Sequence, residues 1–363
     1  TDRIVWVHVA SLGEFEQGRP VIEAFRKACP GYKILVTFFS PSGYEIRKNY
    51  PGADYIFYLP PDTPRNVRRF MAIVRPKIAV FVKYEFWVNY LLAMKRAGTK
   101  LYLISSIFRD GQIFFRPYGG LFRSALRAFR HIFVQNDSSR NLLKSIGIEQ
   151  VSVAGDTRFD RVYEIAQQAK RLPEIERFAA DAPVFIAGST WPPDEELLVG
   201  LIERYPDVKF IVAPHEIDPA RIEKFCERIS RPALRYTQLT PQSDLAAAGV
   251  LFVDTIGILS SVYRYGRWGY IGGGFGAGIH NTLEAATFGL PLAFGPRYGK
   301  FREARDLVTL RGAASIASAE ELERWFAGLH DDPDATGRSG TICKEYVLQH
   351  KGATARIMDE ICR

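Results

Sequence analysis

The chain runs on a beat of short apolar runs separated by amphipathic stretches. Ile4-Val-Trp-Val-His-Val9 alternates only weakly and is apolar throughout. Such a run fits a strand buried on both faces of a parallel sheet. Similar runs recur at Lys33–Phe38, Tyr55–Tyr58, Ile78–Val82, Leu101–Ile104, Ile132–Val134 and Val151–Ala154. Helical patterns fill the gaps, the first through Val21, Ile22, Phe25 and Ala28. This strand–helix alternation predicts an α/β fold with a doubly wound parallel sheet.

Around Gly155–Ile165 the beat breaks, and a charged helical stretch leads to Asp181-Ala-Pro183. A second series follows at Val184–Ala187, Val208–Ala213, Val250–Val253, Trp268–Ile271, Pro291–Phe294 and Ala313–Ile316. Two Rossmann-like domains are expected, residues 1–160 and 161–340, facing each other across a cleft. Residues 341–363 read as helix, which could pack back on the first domain.

At 363 residues the chain is comfortable for two domains, and 47% apolar against 24% charged residues is ordinary globular material. Cys29, Cys226, Cys343 and Cys362 lie far apart, which argues against a zinc site or disulfide framework and fits a reducing compartment. No run reaches the roughly 18–20 apolar residues of a membrane span. The start at Thr1, without Met, suggests that an N-terminal piece has been removed. A net charge of +8 favours anionic partners.

Ligands of parallel sheets bind at the carboxyl ends of the strands. Ser11–Glu14, Glu85, Asp156–Arg158, Gly188–Trp191, Pro214-His215 and Thr255–Ile258 all follow strand-like runs. So does a loop of Gly272, Gly273, Gly274, Gly276 and Gly278, ahead of a helical pattern from Asn281 to Gly289. Glycines let a backbone approach a ligand, and a helix start aims free N–H groups at it, which suits a phosphate. The same residues also fit a plain strand-to-helix turn, with Asn281 and Glu284 forming a capping box. The G-x-G-x-x-G dinucleotide fingerprint is absent. Glu284 would repel a phosphate and is better suited to a ribose hydroxyl.

Glu14 at a helix start should stay ionised at neutral pH, at some loss of basicity, and could serve only as a dipole partner. Glu85, behind Lys83-Tyr84, could be a salt-bridged strand end. His8 reads as core, while His215, His280 and Trp191 fit packing or ligand contact equally. Asp332-Pro-Asp334 mimics a metal-binding D-x-D but sits in an acidic turn, and no spacing indicates a metal. Between Lys100 and His131, Arg116, Arg123, Arg127 and Arg130 are interleaved with aromatic residues. Leu121, Phe122, Ala125, Leu126 and Phe129 share one arc of a helix and the last three arginines the other. A surface helix or a docking face for an anionic bilayer both fit this pattern, and Arg65, Arg68, Arg69, Arg75 and Lys77 add charge to the same half.

Taken together, Ala10-Ser-Leu-Gly-Glu14, Glu85-Phe-Trp87, Gly155-Asp-Thr-Arg-Phe-Asp160, Gly188-Ser-Thr-Trp191, Ala213-Pro-His215 and Gly278-Ile-His-Asn-Thr-Leu-Glu-Ala-Ala286 resemble the 3-deoxy-D-manno-octulosonic acid (Kdo) transferases of lipopolysaccharide assembly. The resemblance runs from Thr1 to the C-terminus and implies an inverting, metal-independent glycosyltransferase of the GT-B fold. It implies CMP-Kdo as donor, a lipid A precursor (lipid IVA) as acceptor, no cofactor and no nucleic-acid partner. It places the protein at the cytoplasmic face of the bacterial inner membrane; in the family an N-terminal anchor precedes the first strand, and that anchor is expected to be absent from this chain. Glu14 matches the general base, and Glu85 and Arg158 match positions that support the transition state. Ser189, Pro214, His215, Ile256, Gly257, Ile258, Gly274, Gly276, Gly278, Asn281, Thr282, Leu283 and Glu284 match the donor-binding segments. The chain departs from the family at His215-Glu216, where Arg-His is common, at Ile256-Gly257-Ile258, where Met-Gly-Glu is common, and at Arg158, where lysine is frequent. Competing expectations are a GT-B transferase with a UDP or GDP donor, a related epimerase, and a non-enzymatic basic membrane-surface protein. The last would have no need of Glu14.

Overall fold

The computed structural model describes residues 2–363, which form two compact units. The first runs to Arg161 and takes in His350–Arg363; the second is Val162–Gln349. The first unit holds strands β1 (Ile4–Val9), β2 (Lys33–Phe38), β3 (Tyr55–Tyr58), β4 (Ile78–Val82), β5 (Lys100–Ser106), β6 (His131–Val134) and β7 (Val151–Val153). They form one parallel sheet in the order β3-β2-β1-β4-β5-β6-β7. The second unit holds β8 (Val184–Thr190), β9 (Lys209–Pro214), β10 (Ala233–Arg235), β11 (Val250–Phe252), β12 (Trp268–Ile271), β13 (Leu292–Phe294) and β14 (Ala313–Ser315). Its parallel order is β10-β11-β9-β8-β12-β13-β14.

Both central strands are apolar throughout because helices cover both faces of each sheet. Trp6 of β1 packs on one side of the first sheet with Phe81, Tyr90 and Leu103, while Val5, Val7 and Val9 pack on the other with Phe15 and Phe38. The terminal helix Ala353–Ile361 adds Ile357, Met358 and Ile361 to that second face. In the second unit Phe185, Phe210, Trp268 and Tyr270 form the matching core.

The strands lie where the apolar runs predict, within a few residues at each end. β10 is the exception: its three residues are all half-buried, so no apolar run marks it. The basic helix expected through Arg130 is shorter, covering only Gly120–Leu126. Leu121, expected on its inward arc, is 60% exposed, while Phe122 beside it packs on the core against Phe114.

Candidate active site

In an open parallel sheet, ligands enter where the strand order reverses, outside the carboxyl ends. That place lies between β1 and β4 in the first sheet and between β8 and β12 in the second. Glu14 follows β1 and Glu85 follows β4. Ser189 and Trp191 close β8, and the glycine loop follows β12.

Ser11 caps the helix Leu12–Ala28, its hydroxyl accepting the Glu14 N–H at 3.4 Å. The Glu14 carboxylate turns back and accepts the Ala10 N–H at 2.6 Å, a reciprocal cap. This fold-back buries the carboxyl to 9% exposure. Burial pushes its pKa up to about 7; the Ala10 N–H opposes this, Glu85 adds to it, and the Lys83 ammonium lowers it. The expectation of a fully ionised, weakly basic Glu14 is therefore corrected. Desolvation outweighs the helix-start field, and the group is poised for proton exchange near neutrality.

Glu85 accepts the Trp87 indole N–H at 2.6 Å and lies 3.0 Å from Nε2 of His8. A carboxylate oxygen accepts, so Nε2 of His8 carries a hydrogen. Nδ1 of His8 is 2.9 Å from the Thr37 hydroxyl, which also accepts the Trp6 indole N–H at 2.7 Å. His8 is fully buried, as its strand pattern indicates, yet it is no mere core residue, because it fixes Glu85. Its sequence signal was a polar ring inside an apolar strand. Lys83 sits at the end of β4 with φ of 61°. A non-glycine residue held in the left-handed region is a common companion of functional sites.

Arg158 is committed to Asp156. Its Nε and one Nη reach the same carboxylate oxygen at 2.9 and 2.8 Å, and its backbone N–H donates to the other oxygen at 2.9 Å. Asp156 also accepts from Gln17 on the Glu14 helix at 3.1 Å. Arg158 is thus oriented by an internal anion, a partner the sequence reading did not foresee.

In the second unit three rings stack: Trp191 on His215 at 4.9 Å between centroids, and His215 on His280 at 4.1 Å. The Trp191 indole N–H donates to Nε2 of His280 at 3.0 Å, so that nitrogen is unprotonated. Burial, assisted by the charge His215 would carry, drives the His280 pKa down to about 4. The three rings form a flat stack in which His280 is neutral. Pro214 ends β9, and the His215 N–H donates to the Thr190 carbonyl at 2.9 Å, which fixes this turn. Ser189 is held at φ 55°. Gly257 has φ of 92°, and the preceding Ile256 is 89% exposed, an apolar side chain standing in solvent at a strand-end loop. Ile258 begins the short helix Leu259–Val262.

The glycine loop is tied inward. A Cβ on Gly272 would lie 2.2 Å from the Ser189 carbonyl oxygen, and one on Gly274 would lie 2.5 Å from Gly295. The N–H groups of Gly276 and Gly278 both point to the Gly273 carbonyl, at 3.0 and 3.3 Å. The Gly276 and Gly278 amides thus close the loop's own turn, and Gly274 meets the close approach of Gly295. Asp194, missed in the sequence, anchors this loop. It is fully buried and accepts from Gly273 N–H (2.9 Å), Trp191 N–H (2.9 Å) and Tyr270 O–H (2.8 Å). Asn281 caps the six-residue helix Thr282–Thr287 through the Leu283 N–H at 3.1 Å, and its amide donates to Glu284 at 3.0 Å. Thr282 and Leu283 are buried. Glu284 is half-buried.

The four arginines of the expected acceptor patch are not equivalent. The Arg123 guanidinium donates to the carbonyls of Phe114, Arg116 and Pro117, stapling its own loop, and Arg130 lies 4.0 Å from Glu360. Arg116 and Arg127 are exposed. Exposed Ile113, Tyr118 and Leu121 accompany them. Asp332 accepts the Ala335 N–H at 2.9 Å and so starts the helix Pro333–His350. Among the described residues no three His, Cys, Asp or Glu side chains group as metal ligands, and no helix is long and apolar enough to cross a membrane.

Residues 1–161 match the family model for 3-deoxy-D-manno-octulosonic-acid transferase (kdotransferase). That stretch carries Glu14, Glu85 and Arg158 at its strand ends. Over that stretch the chain is similar to the Kdo transferases. Similarity continues beyond it: the Kdo transferase of Haemophilus influenzae is 24% identical over 376 residues, covering 98% of this chain and 86% of that protein. The Aquifex aeolicus Kdo transferase is 26% identical, over 85% of this chain and 80% of its own. In fold, the chain is similar to the UDP-GlcNAc 2-epimerase of Neisseria meningitidis solved with UDP-GlcNAc, with a TM-score of 0.69 and 15% identity, covering 99% of each chain. The fold is thus of the GT-B type, with two Rossmann-like units. The family supports a Kdo glycosyltransferase of lipopolysaccharide biosynthesis.

Proposed function

We propose that this protein is a Kdo transferase that moves Kdo from CMP-Kdo to a lipid A precursor such as lipid IVA, with inversion and without a metal, at an anionic membrane surface on the cytoplasmic side. The observation that carries the reading is Glu14, a buried carboxyl with its pKa raised to about 7 at the reversal point of the first sheet. Such a group takes the acceptor hydroxyl proton as the new glycosidic bond forms and CMP leaves with the old bond's electron pair. CMP is a stable phosphate leaving group, so no covalent intermediate is needed. Arg158, oriented by Asp156, stabilises the departing phosphate in this reading, and Glu85 supports the transition state. The stack Trp191–His215–His280 and the loops at Ser189, Pro214, Ile256–Ile258 and Asn281–Glu284 receive the CMP part. The flat aromatic stack, with its neutral His280, suits a nucleobase.

A nucleotide panel tests the donor assignment. CMP should raise the melting temperature by mass action, equivalent to about 2.7 kcal/mol at a hundredfold excess over Kd, and UDP and GDP should not. Stabilisation by UDP or GDP and none by CMP would favour a different nucleotide-sugar enzyme and end the CMP-Kdo reading.

A further inference from the structure

The connection after the outermost strand of the first sheet leaves a trough uncovered. β3 is an edge strand, whereas β4, the next in sequence, pairs with β1 two places inward. The intervening helix Pro64–Val74 must therefore travel inward, and its Phe70 packs on Trp6 and Tyr90 at 4.6 and 5.4 Å. Between this helix and β3 lies an apolar cavity of about 520 Å³ lined by Ile4, Leu35, Tyr55, Phe57, Phe70 and Ile73, among others. Ile73 is 80% and Phe57 58% exposed. Contiguous apolar surface of this kind marks an interaction site.

Its charge setting selects the occupant. At about 100° per residue, Arg65 and Arg69 fall on the helix flank beside Ile73, with Arg68 and Arg75 further round. Those four and Lys77 are exposed, and none has an ion-pair partner among the described residues. A second copy of the chain would bring the same cations against these, so the surface opposes its own pairing. An apolar trough with a cationic rim is complementary to an acyl chain below an anionic headgroup.

We propose that the trough between β3 and the helix Pro64–Val74 takes an acyl chain of an anionic bilayer phospholipid, with Arg65 and Arg69 holding its phosphate. The site gives the membrane part of the function proposed above a definite place, and its test involves no sugar transfer. Failure of one therefore leaves the other standing.

The test is photo-crosslinking to vesicles of phosphatidylcholine with about a third phosphatidylglycerol, both lipids carrying a diazirine at the acyl end. Label should map to peptides around residues 55–60 and 70–74 and be absent with phosphatidylcholine vesicles alone. Ile73→Asp combined with Phe57→Ser should lower that labelling about tenfold, and Arg65→Glu with Arg69→Glu should do likewise, all with unchanged melting temperature. Ile73→Asp alone, a surface change, covers the case in which the double variant folds poorly. Label confined to other segments such as 113–121, undiminished label in Ile73→Asp, or equal label from neutral vesicles would overturn the proposal. So would sedimentation velocity showing a dimer that Ile73→Asp dissolves, since the trough would then be a self-interface.

Discussion

Glu14 couples catalysis and stability through one proton. A base must be deprotonated, so the transfer rate should rise with pH through about 7 and then level off. Glu14→Gln should lower turnover by about 10²–10⁴-fold and leave CMP affinity near normal. Its effect on stability has the opposite sense. The folded-state pKa is raised, so the stability Glu14 contributes is complete below about 4.5 and is lost as pH rises through about 7. The melting temperature of Glu14→Gln relative to wild type should therefore climb across that window and stay level above it, which a thermal melt series measures. His8→Phe removes the hydrogen bond that positions Glu85, in a ring of similar shape. It should cost about 1.5–3 kcal/mol in transition-state stabilisation, read as lower kcat with little change in KM. The position of Glu14 behind the first strand was legible in Ala10–Glu14. Its raised pKa was not, because it follows from burial of the carboxyl, with the Ala10 N–H, Glu85 and Lys83 converging on it in space.

At the scale of elements, Asp194 joins the start of the helix Pro192–Arg204 to the loop after β12. Removing it strands two buried N–H groups and the Tyr270 hydroxyl, so Asp194→Ala should cost on the order of 3 kcal/mol in unfolding free energy. Denaturant melts and proteolysis around residues 272–280 would detect it; a neutral result would mean the loop is held by its glycines alone. The helix Leu12–Ala28 meets the chain's last helix where Cys29 and Cys362 bring their sulfurs to 3.8 Å. Hydrogen peroxide should convert one thiol to a sulfenic acid, which the other displaces to give a disulfide and water. Non-reducing peptide mapping should find Cys29 joined to Cys362 and find no such link in Cys362→Ser. Sequence distance hid this pair, and the four widely spaced cysteines read as unrelated. The glycine loop shows the reverse limit. Five glycines read as a ligand cradle, and the close backbone approaches at Ser189 and Gly295 give Gly272 and Gly274 a packing reason as well, whereas a Cβ on Gly276 would meet nothing closer than the Gly273 carbonyl at 3.6 Å. The short helix Gly120–Leu126 stops before its expected arc for a related reason, since periodicity does not say where packing stops.

On the scale of the molecule, the alternation of apolar runs made the two parallel sheets readable, because strands buried on both faces leave uninterrupted Val, Ile and Phe runs. β10 escaped because three half-buried residues carry no such run. The reversal of strand order between β1 and β4 and between β8 and β12 is invisible in any local pattern, although it turns scattered strand-end residues into two candidate centres. The central claim is that these centres serve transfer of Kdo to a lipid. The most direct measurement is mass spectrometry of a lipid A precursor incubated with the protein and CMP-Kdo. The lipid should gain the mass of one or more Kdo residues, with matching release of CMP and no gain in the Glu14→Gln variant. A lipid left unchanged by CMP-Kdo, with the protein folded, or equal gain with Glu14→Gln, would contradict the account.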